Sequence, residues 1–324
     1  MYIKTFNIGS DMLLHRAQRK LALPITRNRM VPKPSTISVA RFRERSANSH
    51  IASFLRAGAT AALFLAAAAG AQELDKNTET PAAPRANLVT RANAPVSDLL
   101  QIRFQDAFAP AFEGAQGQGN TFSINPIVPI PEFTAFPYTQ LLSLTIPVAI
   151  TTPQDVTGFG DLKLLDFVLV SRDPEFVWGI GPVFIFPSAS DPTTGQGKWQ
   201  AGPAAGAGYQ RGNLSIGVLA QNPISFAGDK DRSSSNFLLL QPFATYQLGA
   251  GWFVKTEPQM LFDWKTHKQT LPVNLGIGRV FKIGDQYVNC FVEPAWNISH
   301  DGPAPRYAIT FGLYLLYPNF YHSQ

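Results

Sequence analysis

The sequence predicts an all-β chain: a transmembrane, antiparallel up-and-down β-barrel of about 12 strands. Three observations predict it. From Leu99 to Tyr317, segments of roughly ten residues alternate apolar with polar or small side chains, and Gly, Pro, Asn, Asp and Ser lie between them. The links between segments alternate between short and long. Charged residues make up only 15% of the chain, against about a quarter in soluble domains, as expected when half of each strand faces lipid.

The elements follow in order. Residues 1–71 hold 11 of the 27 Lys+Arg and two of the 22 acids, Asp11 and Glu44, a formal charge of +9. Arg41, Arg43, Arg45 and Arg56 lead into the apolar run 59–70, and Ala69-Gly70-Ala71 supplies the small-x-small pattern that a signal peptidase accepts. That run is too short to span a bilayer as a helix. Residues 1–71 are therefore read as an N-terminal extension and signal peptide, cleaved after Ala71, with Met30 as an alternative start. The rest of the chain carries a formal −4 and no basic patch, which argues against nucleic acid as a partner. Residues 72–98, rich in Pro, Ala, Asn and Thr, read as a flexible periplasmic leader. Residues 99–324 are assigned to the barrel.

Twelve strand segments are expected: 99–108, 121–130, 140–150, 160–170, 176–186, 199–209, 214–226, 236–248, 252–264, 270–283, 286–299 and 306–317. Helical periodicity is absent between them, and Pro and Gly recur where a helix would break. The links 171–175, 210–213, 249–251 and 284–285 are short. The links 187–198, 227–235, 265–269 and 300–305 are longer, and 131–139 breaks the rule for a tight turn. Tight turns at the periplasmic end and longer loops outside are the signature of a membrane meander with both termini in the periplasm.

Single strands such as 252–264 fit equally a soluble sandwich or barrel with a greasy interior. The whole set does not, because its apolar face is too large for a soluble core. Trp178, Trp199, Trp252, Trp264, Trp296, Tyr246 and Tyr317 cluster at strand ends, as in interfacial girdles. The other face is Gln, Asn, Ser and Gly, which suits a crowded lumen. Hydrocarbon excludes an open sheet edge, so the last strand must pair with the first. Alternation in 306–317 is what barrel-assembly machinery reads in such proteins. The expected setting is the bacterial outer membrane, with its lipid and lipopolysaccharide as partners.

A resemblance becomes specific at "GFGDLKL" (158–164), "GPVFIFPSAS" (181–190), "GQGKWQAGP" (195–203), "NPISFAGDKDRSSSNFLLLQPFATYQLGAGWFV" (222–254), "LPVNLGIGRVFKIG" (271–284) and "VNCFVEPAWNI" (288–298). These motifs, in this order, resemble a family of bacterial outer-membrane transporter-like barrels, the MetA-pathway phenol-degradation-like proteins. The resemblance covers Leu99 to the C-terminus. It implies an outer-membrane barrel linked by name to aromatic-compound catabolism, and it leaves the solute open.

Lys255, Glu257, Gln259 and Asp263 share one face of the ninth segment. They are expected to line the lumen together with Gln241, Asn289 and Glu293. Either they set a field for a passing solute, or they pair with one another and plug a narrow barrel. Asp161 and Lys163 are read as a cross-barrel ion pair or a rim pair. No cofactor or metal is expected: 195–198 and 206–212 fail the phosphate-loop and dinucleotide spacings, and Asp229–Arg232 lacks the ligand run of a calcium loop. Cys290 is read as a small hydrophobe. His267 and His300, with Asp263 or Asp301, are the acid/base candidates, but spacing marks no partner for them, so an enzyme is not expected. The function expected is passage of a small, hydrophobic or aromatic solute. The alternatives are a non-transporting structural or adhesion barrel or, less favoured, a barrel hydrolase.

Overall fold

The computed structural model describes residues 88–318 apart from positions 96, 172 and 174. The expected signal peptide and the leader up to residue 87 lie outside the described residues. A helix, α1 (Leu88–Asn93), precedes the strands. These are β1 (Leu100–Glu113), β2 (Gly119–Ile130), β3 (Thr139–Thr151), β4 (Thr157–Gly158), β5 (Leu162–Leu169), β6 (Phe176–Phe186), β7 (Lys198–Arg211) and β8 (Leu214–Gln221). They continue as β9 (Ile224–Gly228), β10 (Phe237–Gly249), β11 (Trp252–Thr256), β12 (Met260–Asp263), β13 (Lys268–Asn274), β14 (Gly276–Ile283), β15 (Gln286–His300) and β16 (Ala304–Tyr317). Four wall crossings are broken in two, so the segments form a closed antiparallel barrel of 12 strands. Two of the breaks contain Pro223 and Pro258, which cannot donate to a ladder.

Closure runs through β16. It pairs with β1 from Leu100↔Tyr317 to Glu113↔Ala304, and with β15 on its other side. No edge is left for lipid to meet. No helix among the described residues is long and apolar enough to cross a membrane; here strands do the crossing.

Ladder register carries the alternation around the wall. Lys255 stands opposite Thr245 on one side and Gly276 on the other, and all three face inward. Most outward positions are apolar and exposed, while Phe281, Val288 and Cys290 form a buried cluster on the outward side of β14 and β15. Trp178, Tyr209, Tyr246 and Trp252 flank the tight turns, while Trp199, Trp264, Trp296 and Tyr307 flank the outer loops. These are the two aromatic girdles, one per interface.

The inward face is less uniformly polar than the sequence suggests. Leu141, Leu165, Phe167, Val183, Ala204 and Leu219 form an apolar cluster inside the lumen, on the wall from β3 to β8. Four inward phenylalanines each lie over a glycine of a neighbouring strand: Phe167 over Gly179, Phe243 over Gly217, Phe253 over Gly278 and Phe291 over Gly312. A Cβ at any of these glycines would overlap the ring. The glycines thus make room for aromatics in a lumen too narrow to hold them otherwise.

Candidate functional site

The site is built from the wall inward. At mid-barrel, Lys255 projects from β11 and is 3% exposed. Its Nζ donates to Glu257 Oε2 at 2.7 Å and lies 3.7 Å from Glu293 Oε2. The second pair is held by charge alone, since that separation is too long for a hydrogen bond. Gln241 Nε2 donates to Glu257 Oε1 at 2.6 Å, and Asn274 Nδ2 donates to Glu293 Oε1 at 2.6 Å. Asn274 Oδ1 accepts the Glu257 amide at 2.8 Å, which the strand break around Pro258 frees from the ladder. The ammonium of Lys255 also sits 4.2 Å from the centre of the Phe291 ring, in cation–π range. Five side chains from the neighbouring crossings β10, β11–β12, β13 and β15 are therefore linked along one wall, with Glu293 Oε2 facing Lys255 but making no hydrogen bond.

A cavity of about 80 Å³ remains beside this network, lined also by Lys163, Gln259, Gln221, Asn125, Arg103 and Tyr314. The network and cavity together form a polar constriction. Of the expected lumen residues, Lys255, Glu257, Gln259, Gln241, Glu293 and Lys163 come together here.

The other three are placed elsewhere. Asn289 lies at the tight-turn end of the lumen, where its Nδ2 donates to Asn93 of α1 at 3.2 Å. Asp161 anchors an outer loop: its carboxylate accepts the amides of Ala189 at 3.2 Å and Gln196 at 2.6 Å. Arg232 ties the same loop down through the carbonyls of Pro192 and Gly195. At its tip the Asp191 carboxyl is held below the usual carboxylate range by the hydroxyl and amide of Thr193. Asp263 closes a turn at the outer rim, accepting the amides of Lys265 at 2.8 Å and Thr266 at 3.0 Å.

Sequence reasoning missed α1. The last part of the expected leader enters the barrel at the end that carries the tight turns. Val89 and Ala92 pack against Leu99, Phe253, Val280, Phe291, Tyr314 and Leu316. Thr90 accepts a hydrogen bond from Gln247, and Arg103 donates to the Ala94 carbonyl at 2.6 Å. The guanidinium of Arg103 lies 4.8 Å from the Tyr314 ring centre, below the constriction. A six-residue helix has too few turns for its periodicity to be read; the lumen wall supplies its partner surface.

Because α1 packs on the side of β10, β14, β15 and β16, it leaves the opposite side open. There a vestibule of about 540 Å³ runs between α1 and the wall, reaching from the ends of β1 and β16 to β8. Phe167, Leu169, Val177, Phe243 and the glycine backbone of β7 line it, with Arg91, Asp98, Ser171 and Glu175 at the rim.

Among the described residues, neither His267 nor His300 is hydrogen-bonded to a carboxylate. His300 Nδ1 contacts the Gly302 carbonyl at 2.8 Å, and His267 lies in a turn with a positive φ of 54°. Among the described residues, no three His, Cys, Asp or Glu side chains are grouped to hold a metal ion.

No protein-family model matches this chain, and neither does any curated protein. Solved structures do match in fold. An outer-membrane channel from Pseudomonas putida F1 aligns with a TM-score of 0.52 at 10% identity, over 68% of this chain and 94% of that one. The NanC porin aligns at 0.45 and 9% identity over 67% and 98%. Outer membrane phospholipase A from Escherichia coli aligns at 0.40 and 11% identity over 72% and 97%. The first of these likenesses shows the fold. With the lipid-facing apolar belt, it identifies the chain as a bacterial outer-membrane β-barrel.

Proposed function

We propose that the chain is an outer-membrane channel for small solutes, with hydrophobic or aromatic molecules as the preferred class, and that α1 narrows its periplasmic mouth. The observation that carries this reading is the sequence of two spaces along the lumen, the vestibule beside α1 and the smaller cavity at the Lys255 network. A barrel filled only for structural purposes has no reason to keep a space of that size lined by Phe167, Leu169, Val177 and Phe243. The motif resemblance to MetA-pathway phenol-degradation-like barrels supports an aromatic solute.

The test is conductance in planar bilayers, with folding checked by heat-modifiable gel migration. Wild type is expected to conduct weakly. Val89→Asp places a carboxylate in the apolar contact of α1, so this variant is expected to open more often and conduct several-fold more. A correctly folded barrel that neither conducts nor takes up solute, with or without this substitution, refutes the channel.

A further inference from the structure

We infer that the vestibule is a binding site for a neutral, ring-sized apolar molecule, a waiting position between the periplasmic mouth and the constriction. The inference rests on the channel reading and assigns that channel a site.

Its first support is size and lining. About 540 Å³ falls within the range of small-ligand pockets, which run from roughly 300 to 1,000 Å³. The wall formed by Phe167, Leu169, Val177 and Phe243 is apolar, while Thr90, Ser97, Thr139 and Ser215 line other parts of the space. Val177 lines this space opposite Gly208 and is 37% exposed.

The second support is the shape of the wall. Phe243 lies across Gly217 and reaches to ordinary contact distance, 3.4 Å, from the Cβ that Gly208 lacks. Phe167 does the same across Gly179 and Gly206, again at 3.4 Å from the second. Each ring thus spans glycines of adjacent strands and is held against the wall. Two fixed phenyl groups on a side-chain-free backbone make a surface to which a planar ring packs by offset or edge contact.

The third support is charge. Arg91 Nε and Asp98 Oδ1 pair with each other at 2.8 Å on the rim, so their charges cancel. The Tyr209 hydroxyl reaches Glu175 at 3.5 Å. Among the described residues that line the vestibule, the one cation, Arg91, is paired with Asp98, and Glu175 adds a carboxylate, so an anion is disfavoured there.

The test uses the full mature chain in proteoliposomes, with Cys290→Ala and a single bimane label at Val177→Cys. Nitrobenzene is the neutral probe and quencher, 4-nitrobenzoate is the anionic one, and a label at lipid-facing Ile180→Cys reports partitioning into the bilayer. Saturable quenching by nitrobenzene is expected at position 177 only, at least tenfold tighter than by 4-nitrobenzoate. Gly208→Leu adds a side chain into the vestibule, where the site has room for a Cβ but not for a ring as well. It is expected to weaken the saturable phase at least tenfold, and Phe243→Ala several-fold.

Linear, equal quenching at positions 177 and 180 overturns the site, as does saturable quenching that neither Gly208→Leu nor Phe243→Ala changes. Conductance measured on the same preparations separates the two readings. A barrel that conducts without saturable binding loses the site and keeps the channel. One that binds but never conducts loses the channel and keeps the site.

Discussion

Replacing Lys255 by Met keeps the stem volume and removes the ammonium from a network that has no spare cation. The distances set the scale. With an effective dielectric of about 20, attraction across 2.7 Å to Glu257 is about 6 kcal/mol and across 3.7 Å to Glu293 about 4.5 kcal/mol. Most of that gross attraction offsets the cost of taking three charged groups out of water. What the variant loses is larger than the net value of the bridge, because it leaves two carboxylates on neighbouring crossings with no cation between them. Gln241 and Asn274 each satisfy one oxygen of these carboxylates, but neither brings a charge. Breaking a buried pair in this way costs about 3–5 kcal/mol. Equilibrium unfolding in denaturant, followed by tryptophan fluorescence, measures it. Adding Glu293→Gln to Lys255→Met removes one of the stranded charges and should restore about half of the loss. A Lys255→Met barrel within about 1 kcal/mol of wild type, or a double variant whose losses simply add, refutes the account of a linked network.

Two further expectations concern the wall and the outer cap. Gly217→Val forces a branched side chain into the Phe243 ring and the Ala207 carbonyl, so the folded gel form should be largely lost, whereas Gly208→Ala, with only ordinary contacts around its Cβ, should fold normally. Asp161→Asn weakens two amide anchors of the loop 187–197 at a cost of about 1–3 kcal/mol, and protease added to whole cells should cut that loop several-fold faster. The Asp191 carboxyl in the same loop has a lowered pKa. Its ordering contribution is therefore present above the usual carboxylate range and lost as the pH falls through its own depressed value. Cleavage in the wild type should stay flat from neutral to mildly acidic pH and rise only in stronger acid; a rise already near neutral pH contradicts this.

How much of this was legible depended on whether one period decided the residue. In 306–317 each odd position is apolar, and the segment became β16 with Tyr307, Phe311 and Leu315 outward and Thr310, Gly312 and Tyr314 inward. The girdle tryptophans were readable for the same reason. In 236–248 the phase was readable from Gln241, Thr245 and Gln247, which puts Phe243 on the lumen face; what had no signature is the glycine on another strand, Gly217, over which its ring lies. The Lys255–Glu257 pair could be seen in a single strand, because residues two apart share a face. Its partners Asn274 and Glu293 lie on other crossings, and the Glu257 amide reaches Asn274 only because Pro258 interrupts the ladder. Asp161, Asp263 and Asn289 have the inward phase of lumen residues but different heights. Alternation gives the face of a residue and says nothing of its depth.

Position around the barrel divides the lumen into two walls. From β10 round to β1, charged and amide side chains bond to one another, and α1 packs below them through Val89, Ala92, Thr90 and Asn93. From β3 to β8, apolar side chains and glycine backbone face an open space. A charged residue in the first wall is already matched to a neighbour at hydrogen-bonding distance, so a passing ion would have to compete with Glu257 for Lys255. A neutral molecule moving along the second wall competes with nothing and covers apolar surface that water solvates poorly, at about 25 cal/mol per Å². The inward charges of β11 therefore face one another. On this geometry they support the polar wall, and the proposed channel would take its selectivity from the apolar side chains between β3 and β8.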